Sequence, residues 1–569
     1  MAPNLHSLSL ELIDLIIYAL CDDGVAPTLT GPDYADLHPE KLSAYATISR
    51  SWQYAIERWT FARIHTSSTD LSRVHKSMTA HPRRIHLIRA LHYTINLPRY
   101  STNRRYRVER RREHRANLVA FRQGVIDLWS LLQAWQPHGF PRGLQLVLVA
   151  ESPTEVYSGP LGSQKLEARR AERWAHLDHS LTLHDDDEEP LVLPALSFIG
   201  RLLIGITGRR IHPAAIGDML NSLTRLSALS VRVPPVKPKR KGLHAEMRNA
   251  LARALEAPTL NNLKRLRLDL GDSAPENHDF QTAHGEDPDY PNGDHLSRAL
   301  CKLAQASLQR LELDSPAVLS PVLFGVDSLH PDRQNKTFPF LQSLLITMAP
   351  MTYDGRWYFT GDSTEAISDE DEDSMDEDAL QAEPPNWEAG SNSSYNSAEK
   401  VREVDFDRER YLDGEAPTFL WRFHPDPSTF EPFVRALLSA IPRMPRLSAA
   451  LLFSNALSLR AFCYGVALFY ASPSDFVATG TGADGDTPRR AATGAWNITT
   501  KGHTHWELPS DIRDLMQQQV GDEGLVSQIQ VPLDEEDSLF SEHDSAHSSD
   551  EEEEDAHYAV DGPSPPDDD

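Results

Sequence analysis

The stretch that decides the fold is Leu263-Lys264-Arg265-Leu266-Arg267-Leu268, in which leucine recurs as L-x-x-L-x-L. Its second half alternates apolar and polar residues, which is typical of a strand with one buried face. The pattern returns from residues 226, 308, 341 and 447, the last time as Leu447-x-x-Ala450-Leu451. Helical patterns precede most of these strands, at 213–223, 243–255, 296–306 and 430–441. We therefore predict an α/β fold that repeats a helix and a short strand.

The spacing of these strands is irregular. Successive first leucines at 226, 263, 308 and 341 lie 37, 45 and 33 residues apart, whereas ordinary leucine-rich repeats span about 20–29 residues. The asparagine expected after each strand is missing. We predict an irregular leucine-rich-repeat-like α/β solenoid over 144–355, beginning with the buried strand LQLVLV at 144–149, and ending within 415–520. The alternative is an ordinary α/β or α+β domain with leucine-rich buried strands.

Two segments precede the repeats. Residues 1–62 predict a small helical unit, because apolar residues recur three or four apart on either side of a polar loop, with a break near Ser49. Residues 63–143 predict a helical connector. Its helix carries one apolar stripe, which ends before Pro137 and consists of Leu118, Phe121, Val125, Leu128, Leu132 and Trp135.

Acidic residues are concentrated in two places. The 569-residue chain has a net charge of −27, but residues 362–388 hold 12 acids and 534–569 hold 16, both without a base. The rest of the chain is therefore nearly neutral. We predict a disordered acidic insertion at 356–414 and a disordered acidic tail at 533–569.

Composition excludes several classes of protein. Cys21, Cys301 and Cys463 are too few and too scattered for a disulfide framework or a thiolate zinc site. The N-terminus lacks the features of a signal peptide, and the longest apolar run, 461–471, is too short to span a bilayer. We find no convincing catalytic motif in the sequence. We therefore expect a soluble intracellular protein that is not an enzyme and has no catalytic residue, cofactor, metal or membrane partner.

An arginine cluster precedes the connector helix. It includes a possible anion-binding set, Arg104, Arg105, Arg107, Arg110, Arg111 and Arg112. Such a run can pair with phosphates of nucleic acid or with an acidic protein. Only Tyr100 and Tyr106 interleave with it, so a solvated or self-paired run is favoured over nucleic-acid binding.

Further signals concern regulation and location. Serines beside acids are candidate phosphorylation sites, namely Ser368, Ser374, Ser548 and Ser549. The alternative is that these segments only aid solubility. Residues 237–241 (KPKRK) form a short basic stretch of the nuclear-localisation type. We expect a cytoplasmic or nuclear protein, or both.

The N-terminal unit carries the most specific motif. Leu8-Ser9-Leu10-Glu11-Leu12, then Ile16, Leu42 and Ile48-Ser49-Arg50-Ser51-Trp52, resembles an F-box, L-P-x-E-[LI]-x-x-x-[IL] followed by Leu and V-S-[RK]-x-W. Ser9 replaces the usual proline, and the loop before Leu42 is longer than in most F-boxes. Together with 209–213 (RRIHP), the chain resembles fungal F-box proteins with degenerate leucine-rich repeats.

This resemblance implies a three-helix F-box and a specific role. Such a protein is the substrate-recognition subunit of a cullin–RING (SCF-type) ubiquitin ligase, and it binds a Skp-type adaptor, the cullin scaffold through that adaptor, and a protein target that the sequence does not name. The implied adaptor-binding residues are Leu8, Glu11, Leu12, Ile16, Leu42, Ile48 and Trp52. The alternative is a purely structural role, in which these residues only cap the repeat core.

Two other functions stay open. A non-catalytic chromatin- or nucleic-acid-associated scaffold would use the arginine cluster and the acidic segments, and its binding would be salt-sensitive. An F-box protein that works outside a ligase would bind the same adaptor. The sequence does not separate this last hypothesis from the ligase subunit.

Overall fold

The computed structural model describes residues 8–21 and 42–62 of the N-terminal unit and most of residues 63–368 and 416–531. The described residues are 8–21, 42–100, 109–140, 143–155, 180–184, 191–233, 241–272, 275–280, 293–326, 336–368, 411, 414, 416–455, 465–472, 494–501 and 504–531. Predictions for Arg104, Arg105, Arg107, Ser374, Ser548, Ser549 and the tail lie outside these residues.

The described chain contains nine α-helices interspersed among its strands. The helices are α1 (Leu10–Cys21), α2 (Arg50–Thr60), α3 (Leu71–Ala80), α4 (Arg111–Trp135), α5 (Pro213–Asn221), α6 (Lys241–Leu255), α7 (His295–Ala306), α8 (Phe430–Ala440) and α9 (Ser510–Val520). In this part of the chain, no helix is both long enough and apolar enough to cross a membrane. The helical patterns predicted at 213–223, 243–255, 296–306 and 430–441 correspond to α5, α6, α7 and α8.

Twelve of the strands in the described ranges form one sheet. They are β1 (Arg63–Ser67), β2 (Ala90–Asn96), β3 (Leu144–Glu151), β4 (Ile199–Gly208), β5 (Ala228–Arg232), β6 (Arg265–Asp269), β7 (Arg310–Leu319), β8 (Ser343–Thr352), β13 (Ala449–Asn455), β14 (Gly465–Ala471), β15 (Ala495–Lys501) and β16 (Leu525–Val531). Two small ladders join β10 (Ile367–Ser368) to β11 (Phe419–Leu420), and β9 (Phe359–Thr360) to β12 (His424–Pro425).

The strands of the large sheet lie side by side in chain order. They run parallel from β1 to β8 and on to β13. β14 is antiparallel to both of its neighbours, and β16 is parallel to β15. The α/β class is therefore confirmed, with a large and mostly parallel sheet.

The leucine pattern sets the register of five neighbouring strands. Its middle positions form one row across the sheet, Leu229, Leu266, Leu311, Leu344 and Ala450. Its final positions form a second row, Val231, Leu268, Leu313, Ile346 and Leu452. Both rows are buried. The fifth strand thus uses Leu452 for its final position, and the predicted Leu451 points to the opposite side because side chains alternate along a strand.

The helices and the leucine rows share one continuous core. Buried side chains of α4 to α9 belong to the same hydrophobic cluster as these rows. The intervening strand residues, such as Arg265 and Arg267, are exposed. We call the side of the sheet that carries these intervening residues the open face.

The predicted connector and the last boundary are corrected by the sheet. Residues 63–143 hold not only a helix but also β1 and β2, which begin the sheet before α4. Their leucine content is low, so the leucine pattern missed them, although Ala90–Asn96 alternates strictly after Leu91. At the other end, β16 extends the sheet beyond residue 520.

The predicted insertion begins too early. Trp357, Tyr358 and Phe359 are buried, and the Tyr358 hydroxyl donates a hydrogen bond to the Leu319 carbonyl at 2.8 Å. The fold therefore continues to Ser368, whose backbone pairs with Phe419 in β10–β11. Residues 369–410 are outside the described chain.

Candidate functional site

The N-terminal unit has a hydrophobic cluster of its own, separate from the core of the sheet. Its buried members come from both helices and the turn between them, and they are Ile13, Ile17, Leu42, Trp52, Ala55 and Ile56. Residues 43–47 form a 3-10 helix, so the described part of this unit has two α-helices and one 3-10 turn. Leu42 and Trp52, predicted as adaptor contacts, lie in this interior, with Trp52 only 3% exposed.

Serines begin both α-helices of the unit. The Ser49 hydroxyl accepts the backbone N–H of Trp52 at 3.3 Å, as an N-cap residue does, and this confirms the predicted break at Ser49. Ser9 stands at the proline position of the motif, and its hydroxyl accepts the backbone N–H of Leu12 at 3.4 Å. Replacing proline by serine therefore preserves the start of α1.

The outer side of α1 is apolar and exposed. Leu12 is 49% exposed and Leu15 is 63% exposed. The exposed Glu11 lies beside them, and a backbone hydrogen bond and one with Ser9 lower its pKa, so it carries a negative charge. The predicted adaptor-binding residues do not include Leu15, although its spacing of three from Leu12 places both side chains on one helix face.

The other predicted contacts lie between interior and surface. Leu8, Ile16 and Ile48 are partly buried and pack against the small cluster. Tyr45 and Tyr54 are partly exposed, and the Tyr45 ring stacks on Trp52 with centroids 6.1 Å apart. The motif therefore divides into an interior set and a surface set, and Leu12 with Leu15 is the most exposed part.

Ion pairs attach this unit to the beginning of the sheet. Glu57 of α2 pairs with Arg83 at 3.2 Å and with Arg84 at 3.0 Å, in the turn that precedes β2. Burial opposes ionisation of Glu57, but the hydrogen bond from Arg84 and the charges of both arginines outweigh it and lower its pKa. Within the unit, Arg58 pairs with Asp14 at 3.1 Å.

The arginine cluster is described only from its second half. Arg110 immediately precedes α4, and its backbone N–H donates to the Glu113 carboxylate at 3.0 Å. Arg111 and Arg112 are exposed in the first turn of that helix. The described part of the cluster is thus anchored by its backbone at the start of α4.

A buried ion network lies next to this cluster and was not predicted. Arg209, directly after β4, pairs with Glu109 at 3.2 Å and with Glu155 at 2.5 Å, and all three side chains are almost fully buried. Glu109 also contacts His114 and Asn117. Burial opposes the charge on Arg209, but both carboxylates raise its pKa. The two buried carboxylates that Arg209 neutralises therefore explain an arginine at this position.

The open face carries side chains that the repeat core does not use. Across β4 to β7, one register row reads Arg201, Ala228, Arg265 and Arg310. The next row on this face begins with Ser230, Arg267 and Glu312, and it continues further along the sheet with Leu345, Leu451 and Phe469, which are apolar and half-buried. This face thus changes from basic to apolar along the sheet.

No protein-family model and no curated protein matches this chain. Within the ranges that the structure describes, no group of three or more His, Cys, Asp or Glu side chains is placed to hold a metal ion. The exposed side of α1 and the open face are the two candidate functional surfaces among the described residues.

Proposed function

We propose that this chain is the substrate-recognition subunit of a cullin–RING ubiquitin ligase. In this proposal residues 1–62 act as an F-box that binds a Skp-type adaptor, and the adaptor connects the chain to the cullin scaffold. The sheet and its helices form an irregular leucine-rich-repeat-like solenoid whose open face receives a protein target. The chain itself catalyses no reaction.

The observation that carries the proposal is the exposure of Leu12 and Leu15 on a unit that has its own small core. Leu12 and Leu15 lie on one helix face and form a contiguous apolar patch there, and such patches are typical of docking surfaces. The match of Leu8, Glu11, Leu12 and Ile16 to the F-box pattern names the partner. Burial of such anchors supplies most of the binding energy in many interfaces.

The arrangement of the sheet supports the receptor role. The strands follow one another in chain order, and the intervening residues on the open face of β4 to β7, such as Arg201, Arg265 and Arg267, are exposed. Such surfaces serve protein recognition in repeat proteins. The Glu57 ion pairs hold the adaptor-binding unit against the first part of the sheet, so adaptor and target would be kept in a fixed relation.

The test is co-purification of the full chain with a fungal Skp-type adaptor. Leu12→Asp places a charge on the exposed face, and Val119→Asp does the same on α4, where Val119 is 65% exposed. We expect the wild type and Val119→Asp to retain the adaptor and Leu12→Asp to lose it. Retention by the wild type and both variants would reject this surface, and absence of binding by the folded wild type would reject the function.

A further inference from the structure

The arginines on the open face are not balanced by the carboxylates around them. On the open face, the strands β4 to β7 together carry five arginine and three carboxylate side chains. Three arginines have a carboxylate partner, in the pairs Arg232–Asp269, Arg267–Asp314 and Arg310–Glu312. Among the described residues, no carboxylate forms an ion pair with Arg201 or Arg265.

These two arginines flank a gap in the side-chain layer. Their register partner on the intervening strand is Ala228, and the next residue on that face is Ser230. With strands about 4.8 Å apart, the backbones of Arg201 and Arg265 are roughly 10 Å apart. Small residues between two long cationic side chains leave room for an anionic chain to lie against both.

The local potential agrees with this arrangement. Burial lowers the pKa of Arg201, and the positive charges of Arg265 and Arg267 lower it further, against a smaller opposing effect of Glu312. An added negative charge between Arg201 and Arg265 would relieve that repulsion. Because the other three arginines are paired with acids, the face favours a limited number of added carboxylates over a long polyanion such as nucleic acid.

We propose that the acidic segment 534–569 of this same chain docks on the open face at Arg201 and Arg265. This segment contains 16 acids and no base, with six consecutive acids at 550–555. On an extended chain, carboxylates that share one side lie about 7 Å apart at a spacing of two residues and about 13 Å apart at a spacing of four, which brackets the distance between the two arginines.

The segment has sufficient length to make this contact. It follows β16, which lies six strands from β6 and eight strands from β4 in the order of the sheet. That is roughly 30–40 Å, whereas the residues between 531 and 550 reach about 60 Å when extended. Tethering also gives a high effective concentration, in the millimolar range for flexible linkers. The segment therefore occupies the basic half of the open face and competes with other acidic ligands there.

The test uses the full chain and carbodiimide coupling, which joins a lysine amine to a nearby carboxylate. Arg201→Lys and Arg265→Lys place the amine at the site and keep the charge. Arg513→Lys is the control, because Arg513 is an exposed arginine on α9, nearer in sequence to the acidic segment. We expect coupling of 534–569 to positions 201 and 265 to exceed coupling to 513 by about fivefold at low salt, and to fall in 1 M salt.

Three results would overturn the proposal. The first is equal coupling at 201, 265 and 513, which would show contact without preference. The second is coupling of positions 201 and 265 to residues 362–388 in place of 534–569. The third is coupling only between chains, which mass spectrometry detects in a mixture with nitrogen-15-labelled protein. None of these readouts depends on adaptor binding, so the proposal is tested independently of the ligase role.

Discussion

The Glu57 carboxylate accepts a hydrogen bond from the Arg84 guanidinium at 3.0 Å, and this contact joins the N-terminal unit to the sheet. Glu57 lies near the end of α2, and Arg84 lies in the turn before β2. The same guanidinium stacks over the Phe61 ring at 4.7 Å, directly after α2. A single arginine thus contacts both Glu57 of α2 and Phe61, which packs against the core of the sheet.

Removing the charge of Glu57 should loosen this connection. Glu57→Gln keeps the size of the side chain but leaves Arg83 and Arg84 without their carboxylate. We expect a loss of about 1–2 kcal/mol in the free energy of unfolding, measured by urea denaturation. Glu523→Gln, at an exposed glutamate, should change it by less than about 0.5 kcal/mol. Equal effects of the two substitutions would show that the ion pairs contribute nothing.

The same contact should make stability depend on pH. Because the pKa of Glu57 in the folded protein lies below its ordinary value of 4.5, the folded form holds its proton less tightly than the unfolded form. Its stabilising contribution is therefore complete above about pH 4.5 and is lost as the pH falls through the folded pKa. The urea midpoint should fall in this acidic range more steeply for the wild type than for Glu57→Gln. Parallel pH profiles would contradict the assignment.

The leucine rows should dominate the stability of the sheet. Leu266 pairs with Leu229 and Leu311 in the buried middle row. Leu266→Ala leaves a cavity there and should cost about 2–5 kcal/mol. Ser230→Ala, on the open face of the neighbouring strand, should be nearly neutral. Thermal and urea unfolding of both variants measure the difference, and a mild effect of Leu266→Ala would mean that this row is not part of a tight core.

Arg209 should be essential because it neutralises two buried carboxylates. Arg209→Met removes the cation and leaves Glu109 and Glu155 buried without it, which should cost about 3–5 kcal/mol. Adding Glu109→Gln and Glu155→Gln to this variant removes the uncompensated charges and should restore part of the loss. Urea unfolding of the single and triple variants tests this, and a triple variant less stable than Arg209→Met would argue against charge burial as the cause.

Sequence reasoning succeeded where a periodic pattern reports directly on burial. The L-x-x-L-x-L stretches became adjacent strands because their leucines are spaced for one buried face, and the stripe from Phe121 to Trp135 became the buried side of α4. It failed for β1 and β2, where histidine and threonine occupy the open face and few leucines mark the buried one.

The sequence predicted the residues of the N-terminal motif but not their division between interior and surface. The F-box pattern lists Leu12 and Trp52 together, yet only the packing of α1 against α2 shows that Trp52 is interior and Leu12 exposed. The network around Arg209 could not be predicted from the sequence, because Glu109, Glu155 and Arg209 are up to 100 residues apart and no local pattern links them.

Trp52 and Leu15 should respond differently to substitution, because Trp52 is buried in the N-terminal unit and Leu15 is exposed. Trp52→Ala should destabilise the N-terminal unit by about 3–5 kcal/mol, because it empties the small core. Leu15→Asp should leave the stability of that unit within about 0.5 kcal/mol of the wild type, because Leu15 contacts mainly water. Circular dichroism and urea unfolding check both values. A folded Trp52→Ala variant of unchanged stability would contradict the packing of this unit.

The most direct test of the proposed adaptor binding is calorimetric titration of the Skp-type adaptor into the full chain, its Leu15→Asp variant and its Val119→Asp variant. We predict that the wild type and Val119→Asp bind with the same dissociation constant. Leu15→Asp should bind at least about 30-fold more weakly, as expected for loss of an interface anchor worth about 2 kcal/mol. Equal affinities for all three proteins, or no binding by the wild type, would contradict the account.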